Sequence, residues 1–157
     1  AFELFTYLKA TIGNWRDIEE IDRLLIDVLN GRAFDQSGLI YGIGHSVYTR
    51  SDPRAVILRD LADHLARQKG RQDEFDFWEL VGRRAVVLIK NRHGKQHIVS
   101  PNIDFYSCIV YEMLGLPKDI FVALFAMSRI VGWCAHYMEE VTKRKKIIRP
   151  KLQKEPT

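Results

Sequence analysis

An all-α fold is predicted by three features of this 157-residue sequence. Apolar residues recur at three- and four-residue spacing in one segment after another. Helix-start and helix-stop residues bracket those segments. No segment alternates polar and apolar residues long enough to require a strand, although Ala85–Ile89 and residues 97–100 have strand propensity. With 46% hydrophobic residues, few glycines and prolines, no repeat and no low-complexity run, the chain can bury one core.

The first helix is expected over residues 2–11, with Phe2, Leu4, Phe5 and Leu8 apolar and Gly13 beyond its end. A second begins at Asn14-Trp15-Arg16-Asp17, places Ile18, Ile21, Leu25 and Val28 on one face, and stops at Asn30-Gly31. Residues 31–52 carry glycine at 31, 38, 42 and 44 and read as loop. Asp52-Pro53 starts a third helix, Asp as N-cap and Pro at the first helical position. Ile57, Leu58, Leu61 and Leu65 are expected to face its core before it ends near Gly70. A fourth runs from about Asp73 to Arg92 with Phe77, Val81, Ala85, Leu88 and Ile89 on one face, then a loop covers 93–102. The fifth starts at Asn102 or Ile103, buries Phe105, Ile109, Met113 and Leu114, and stops at Gly115. Pro117 opens a sixth that extends to about Lys145.

That sixth helix is apolar on nearly every side from Ile120 to Ala135, with only Ser128 and Arg129 interrupting. Such a helix is normally enclosed by protein or lipid. A central arginine costs roughly 2.5–3.5 kcal/mol in a bilayer, so no membrane span is expected. The expected cover is a larger helical body, or a second copy packed through residues 117–145. The chain opens at Ala1, without methionine and already inside a helical pattern, so a cut end is expected there.

The formal charge of +4 comes from the end of the chain. Residues 142–157 hold seven Lys/Arg and one acid, which leaves 17 basic against 19 acidic residues before them. The Lys143-Arg144-Lys145-Lys146 run either meets a polyanion or is a solvated helix end, where cations suit the dipole; no nucleic-acid role is expected. Cys108 and Cys134 sit in apolar helical patterns and read as buried thiols in a reducing compartment. His64, His93, His97 and His136 have no metal-ligand spacing, and no metal is expected. Neither a phosphate-binding loop nor a dinucleotide fingerprint occurs.

Five residues carry possible chemistry. His45 lies between Gly44 and Ser46, where a histidine can give a proton to a carbonyl or serve as an ordinary turn residue. Arg54, in the first turn of the third helix, could join that helix end in holding a carboxylate or be a surface arginine. Asp104, in the first turn of the fifth helix, is favoured as the ionised form a base requires, or is a cap. Arg129, in an apolar helix, needs an anion, either an internal acid or a bound carboxylate. Arg149, before Pro150, reads as extended and says nothing more by itself.

Taken in order, Gly42-Ile43-Gly44-His45-Ser46-Val47-Tyr48 with Asp52-Pro53-Arg54, then Pro101-Asn102-Ile103-Asp104, then Phe125 four residues before Arg129, the sequence resembles the C-terminal part of the citrate synthase family. The resemblance runs over nearly the whole chain. It implies an all-α, citrate synthase-like fold: residues 1–11 a helix from the end of the large domain, 12–115 the small domain, and 116–157 a large-domain helix and basic tail. It implies a cytoplasmic homodimer that condenses acetyl-CoA with oxaloacetate, with coenzyme A thioester as substrate and no tightly bound cofactor. Asp104 resembles the carboxylate base, and His45 the histidine at the oxaloacetate carbonyl. Arg54 and Arg129 resemble the arginines on oxaloacetate, Arg149 one given to the neighbouring subunit's site, and Phe125 an aromatic beside the site. Leu39, Ile40, Tyr41, Gly42, Ile43 and Gly44 resemble the loop that meets the adenine of coenzyme A, and Lys95 a residue near its phosphates.

Ile43, Ser46 and Cys108 depart mildly from the family's usual aromatic, Arg or Ala, and Gly. The larger departure is that the family's first catalytic histidine, in a His-Gly-Gly-Ala-Asn type motif, would fall just before Ala1, so the chain alone is expected to be inactive. A 2-methylcitrate synthase using propionyl-CoA, and a non-catalytic helical interaction module, are the alternatives.

Overall fold

The computed structural model describes residues 1–48, 50–94 and 98–143. Among the described residues six α-helices appear in order: α1 Phe2–Thr11, α2 Ile18–Leu29, α3 Pro53–Gln68, α4 Gln72–His93, α5 Ile103–Met113 and α6 Phe121–Lys143, with a 3-10 turn Lys118–Ile120 before the last. Among the described residues the only strand-like feature is an isolated antiparallel bridge, Ile43 to Pro101. The chain is therefore all-α. It divides into two compact units, Ala1–Gly115 and Leu116–Thr157.

The first unit is built around α5. Phe105 through Val110 are all buried, as is Met113, so this short helix has no solvent face for most of its length. α3 and α1 both pack against it. From α4, Trp78 stacks on Phe105 with ring centres 4.2 Å apart, and its indole N–H donates to the Phe105 carbonyl at 2.6 Å. Phe5 of α1 meets the same indole edge-on at 4.6 Å. Trp78, Phe5 and Phe105 are each at most 1% exposed; burial of each stabilises by roughly 1.5–3 kcal/mol, and each aromatic pair adds about 0.5–1.5 kcal/mol. Burial also pushes the Cys108 thiol up to about 12, which makes it inert.

Local chemistry explains the helix ends. Asp17 caps α2 by accepting from the N–H groups of Glu19 and Glu20 at 2.9 and 3.2 Å. Glu20 reaches back to the N–H groups of Gly13 and Asn14, at 2.9 and 3.0 Å. Arg71 bonds Glu74 at 2.7 Å and Glu112 at 2.8 Å, and Lys9 pairs with Glu74. That cluster ties α1, α4 and α5 together.

Three sequence expectations are corrected. On α3 the buried residues are Ala55, Ala62 and Ala66, with Leu58 and Leu65 only partly covered. Ile57 and Leu61 are 71% and 43% exposed. Small side chains let α3 lie close to α5, so the closest-packed face is not the most hydrophobic one. Leu114, expected inside, is 51% exposed where α5 gives way to Gly115. Cys134 is exposed rather than buried.

In the second unit, α6 is uncovered. Val122, Val131, Tyr137 and Met138 are 80%, 76%, 70% and 66% exposed. Lys118–Thr142 is long and apolar enough to cross a membrane by length and composition alone. Arg129 has no ion-pair partner among the described residues. Its guanidinium folds back along its own helix into space left by Gly132, where a Cβ would meet Nη1 at 2.6 Å.

Candidate active site

The histidine loop is zipped to the segment that precedes α5. The Gly44 N–H donates to the Ser100 carbonyl at 2.8 Å, and the Asn102 N–H donates to the Gly42 carbonyl at 2.8 Å. The Asn102 side chain adds a second bridge. Its Nδ2 donates to the Gly44 carbonyl at 2.8 Å, while its Oδ1 accepts the Asp104 N–H at 2.9 Å and so caps α5. One amide thus fixes the residue before His45 and the residue that carries the candidate base. Gly42 makes the approach possible: its φ is +91°, and a Cβ there would come within 3.0 Å of Phe105 Cα.

His45 has a defined tautomer. Its Nδ1 accepts from the N–H groups of Val47 and Tyr48 at 3.0 and 3.1 Å. The neutral ring therefore carries its proton on Nε2 and is a donor there. Arg54 Nη2 lies 3.4 Å from that nitrogen. Two donors side by side, neither able to accept, form a seat for an oxygen ligand. The Tyr48 ring flanks both groups, 5.0 Å from the His45 ring and 5.3 Å from the Arg54 guanidinium carbon.

Asp52 lies beneath this seat. It is the N-cap of α3, accepting the Arg54 backbone N–H at 3.0 Å, and it also grips the Arg54 side chain through Nε at 3.0 Å and Nη2 at 2.9 Å. Its Oδ2 accepts the N–H of Ile103, the first residue of α5, at 3.1 Å. Burial alone would raise its pKa, but these donors outweigh burial and hold the carboxyl below the usual carboxylate range. The guanidinium is correspondingly raised, chiefly by its bond to Asp52 and less by the nearby charge of Asp104. Asp104 itself is exposed in the first turn of α5.

The structure thus brings His45, Arg54 and Asp104 to one place in the first unit. Phe125 and Arg129 are one turn apart on α6 and share a face of that helix. Lys95 and Arg149 lie outside the described residues. Along the loop, a cavity of about 310 Å³ has Leu39, Ile40, Ile43, Gly44, His45, Ile98 and Val99 among its lining residues. The Ile40 side chain is only 4% exposed, so it contributes to the core. Tyr41 is held by its hydroxyl donating to Asp35 at 2.7 Å. A larger cavity of about 930 Å³ has Trp15, Arg59, Asp63 and Gln72 among its walls and contains none of the candidate site residues. Three of its arginines pair with acids: Arg16 with Asp73 at 3.0 Å, Arg59 with Glu79 at 2.9 Å and Arg67 with Asp63 at 2.8 Å. Among the described residues no group of three or more His, Cys, Asp or Glu side chains could hold a metal ion.

Asp52, Asn102 and Tyr48 belong to this arrangement, yet sequence reasoning assigned them no site role. Asp52 reads as a helix cap and Asn102 as a possible helix start, and both are N-caps in the structure. Their second bonds depend on the tertiary approach of α3, α5 and the loop.

The family profile described as citrate synthase, C-terminal domain, matches residues 7–151. Citrate synthase of Deinococcus radiodurans is 39% identical over 74% of this chain and 29% of its own length. That of Synechocystis is 42% identical over 71% and 26%, and that of Saccharolobus solfataricus 38% identical over 78% and 31%. The chain therefore spans less than a third of the length of the curated relatives it matches. Among solved structures, citrate synthase of Thermotoga maritima superposes with a TM-score of 0.68 at 29% identity, covering 99% of this chain and 38% of that one. A ternary complex of the Thermoplasma acidophilum citrate synthase with carboxymethyl coenzyme A and oxaloacetate superposes with a TM-score of 0.65 at 27% identity, covering 99% and 39%. With its helical fold, its histidine–arginine–aspartate cluster and these matches, the chain belongs to the citrate synthase family.

Proposed function

We propose that this chain supplies the small-domain part of a citrate synthase active centre, where acetyl-CoA and oxaloacetate condense to citryl-CoA and water then releases citrate and coenzyme A. The observation that carries the proposal is the pairing of two donors, His45 Nε2–H and Arg54 Nη2, 3.4 Å apart, beside the α5 turn that bears Asp104. Arg54 holds a carboxylate of oxaloacetate, and His45 Nε2–H donates to the adjoining ketone oxygen. Asp104 removes a proton from the acetyl methyl group. As the resulting enol attacks the ketone carbon, negative charge grows on the oxygen that faces His45, where a fixed donor stabilises the transition state more than the ground state. The cavity along residues 39–45 suits an adenine ring in size and apolar character.

In this reading Arg129 takes the second carboxylate, Phe125 stands beside it, Arg149 serves the neighbouring subunit, and Lys95 lies near the coenzyme phosphates. Residues 12–115 are the small domain, and α6 is enclosed by the large domain of a cytoplasmic homodimer. The chain has no His-Gly-Gly sequence to stabilise the enol and is inactive by itself.

Thiol release from acetyl-CoA in the presence of oxaloacetate tests this. The 157-residue chain should show none above background, while the protein at its full encoded length turns over. Replacing Asp104 by Ala at full length should abolish solvent proton exchange at the acetyl methyl. Retained exchange would remove Asp104 from its role.

A further inference from the structure

We propose that Asp52 is a positioning residue: its carboxylate aims the Arg54 guanidinium at the substrate and locks it to the helix that carries Asp104. The proposal rests on the reading of His45, Arg54 and Asp104 as an oxaloacetate site. Asp52 is only 1% exposed, where a carboxylate stays charged only if its oxygens are satisfied. Four N–H groups satisfy them: the backbone and Nε of Arg54 on Oδ1, and Arg54 Nη2 and the Ile103 N–H on Oδ2. A helix cap needs one of these bonds. The other three join a side chain and a second helix to the same group.

The geometry dictates which edge of Arg54 remains free. A guanidinium carries five N–H bonds in one plane. Asp52 occupies the Nε–Nη2 edge side-on, at 3.0 and 2.9 Å. What remains is the Nη1–Nη2 fork, one nitrogen of which, Nη2, lies 3.4 Å from His45 Nε2. In a 2-oxo acid the carboxylate carbon is bonded directly to the ketone carbon. A carboxylate seated on that fork therefore brings the ketone oxygen to the imidazole donor. Without Asp52 the guanidinium can turn about its own side-chain bonds, and the carboxylate it holds turns with it. Because Oδ2 also holds the Ile103 N–H, the same carboxylate sets the distance from Arg54 to the first turn of α5.

The test is the infrared carbonyl stretch of oxaloacetate, isotope-labelled at the keto carbon and bound to the protein at its full encoded length. This readout reports each bound ligand, so a loss of folded protein does not move it. Wild type should lower the frequency relative to free oxaloacetate. Asp52→Asn, which is isosteric, and Asp52→Ser, which retains a good cap for α3, should both bind with the frequency returned towards the free value. Their kcat should fall on the order of 100-fold, the effect of displacing a reacting group by about 1 Å. Wild-type frequency in either variant overturns the positioning role and leaves the site reading intact. If wild type binds oxaloacetate without a shift, or does not bind it, the site reading fails and this proposal with it.

Discussion

Asn102 joins the histidine loop to α5, and two substitutions separate its two bonds. In Asn102→Ala the cap on the Asp104 N–H is lost, at about 1 kcal/mol, together with the bond to the Gly44 carbonyl, worth about 1 kcal/mol. The sum is about 2 kcal/mol. Asn102→Asp keeps a capping oxygen, and a carboxylate suits a helix N-terminus by about 0.3–1 kcal/mol. It loses only the donor to Gly44, so its cost should be about 1 kcal/mol or less. Urea unfolding of the 157-residue chain, followed by helical circular dichroism, measures both. With a urea slope of about 2 kcal/mol/M, the Ala variant should unfold at a midpoint about 1 M lower and the Asp variant about 0.5 M lower or less. Hydrogen exchange at the Asp104 N–H should accelerate in the Ala variant alone. Equal losses from the two substitutions, or a loss below about 0.5 kcal/mol from Ala, would show that Asn102 does not carry both bonds.

Three further outcomes follow from the same contacts. Gly42→Ala forces an L residue to a φ of +91° and sets its methyl 3.0 Å from Phe105 atoms; it should cost about 2–4 kcal/mol by denaturant unfolding, and a loss below about 1 kcal/mol would contradict the close approach of loop and helix. Asp52 has a depressed folded-state pKa, so the stability it confers is complete above the ordinary carboxylate value, about 3.9 in an unfolded chain, and is lost as pH falls through its lower folded value; wild type minus Asp52→Asn stability should shrink as pH drops below about 4, and a pH-independent difference would refute the ionised clamp. The exposed apolar side chains of α6 should drive the isolated chain to self-associate; sedimentation should give a mass above 18.3 kDa that falls on Val122→Lys with Val131→Lys, and a monomer at every concentration would count against it.

What could be read from the sequence was local. Asp52-Pro53 and Asn102 mark helix starts because capping depends on the next three residues alone, and α3 and α5 begin where those residues place them, whereas α2 begins at Ile18, after the whole of the expected Asn14–Asp17 start. The helical period found Leu4, Leu8, Ile21, Leu25, Val81 and Ile109, all of them buried. It failed on α3, where close packing chose Ala62 over Leu61, and on Trp78, whose indole is drawn inward by the Phe105 carbonyl. For the site, motif order singled out His45, Arg54 and Asp104. Asp52 and Asn102 could not be recognised as site supports, because their second bonds reach residues 51 and 58 positions away in sequence. Lys95 and Arg149 lie outside the described residues, so their roles rest on the family resemblance.

A crystal structure of the full-length protein with oxaloacetate bound tests the central claim most directly. The account predicts one carboxylate on the Nη1–Nη2 edge of Arg54, the ketone oxygen within hydrogen-bond distance of His45 Nε2, and the Asp104 carboxylate facing the ketone carbon across the space left for an acetyl group. Oxaloacetate bound away from His45, or with its ketone turned from that nitrogen, would contradict it.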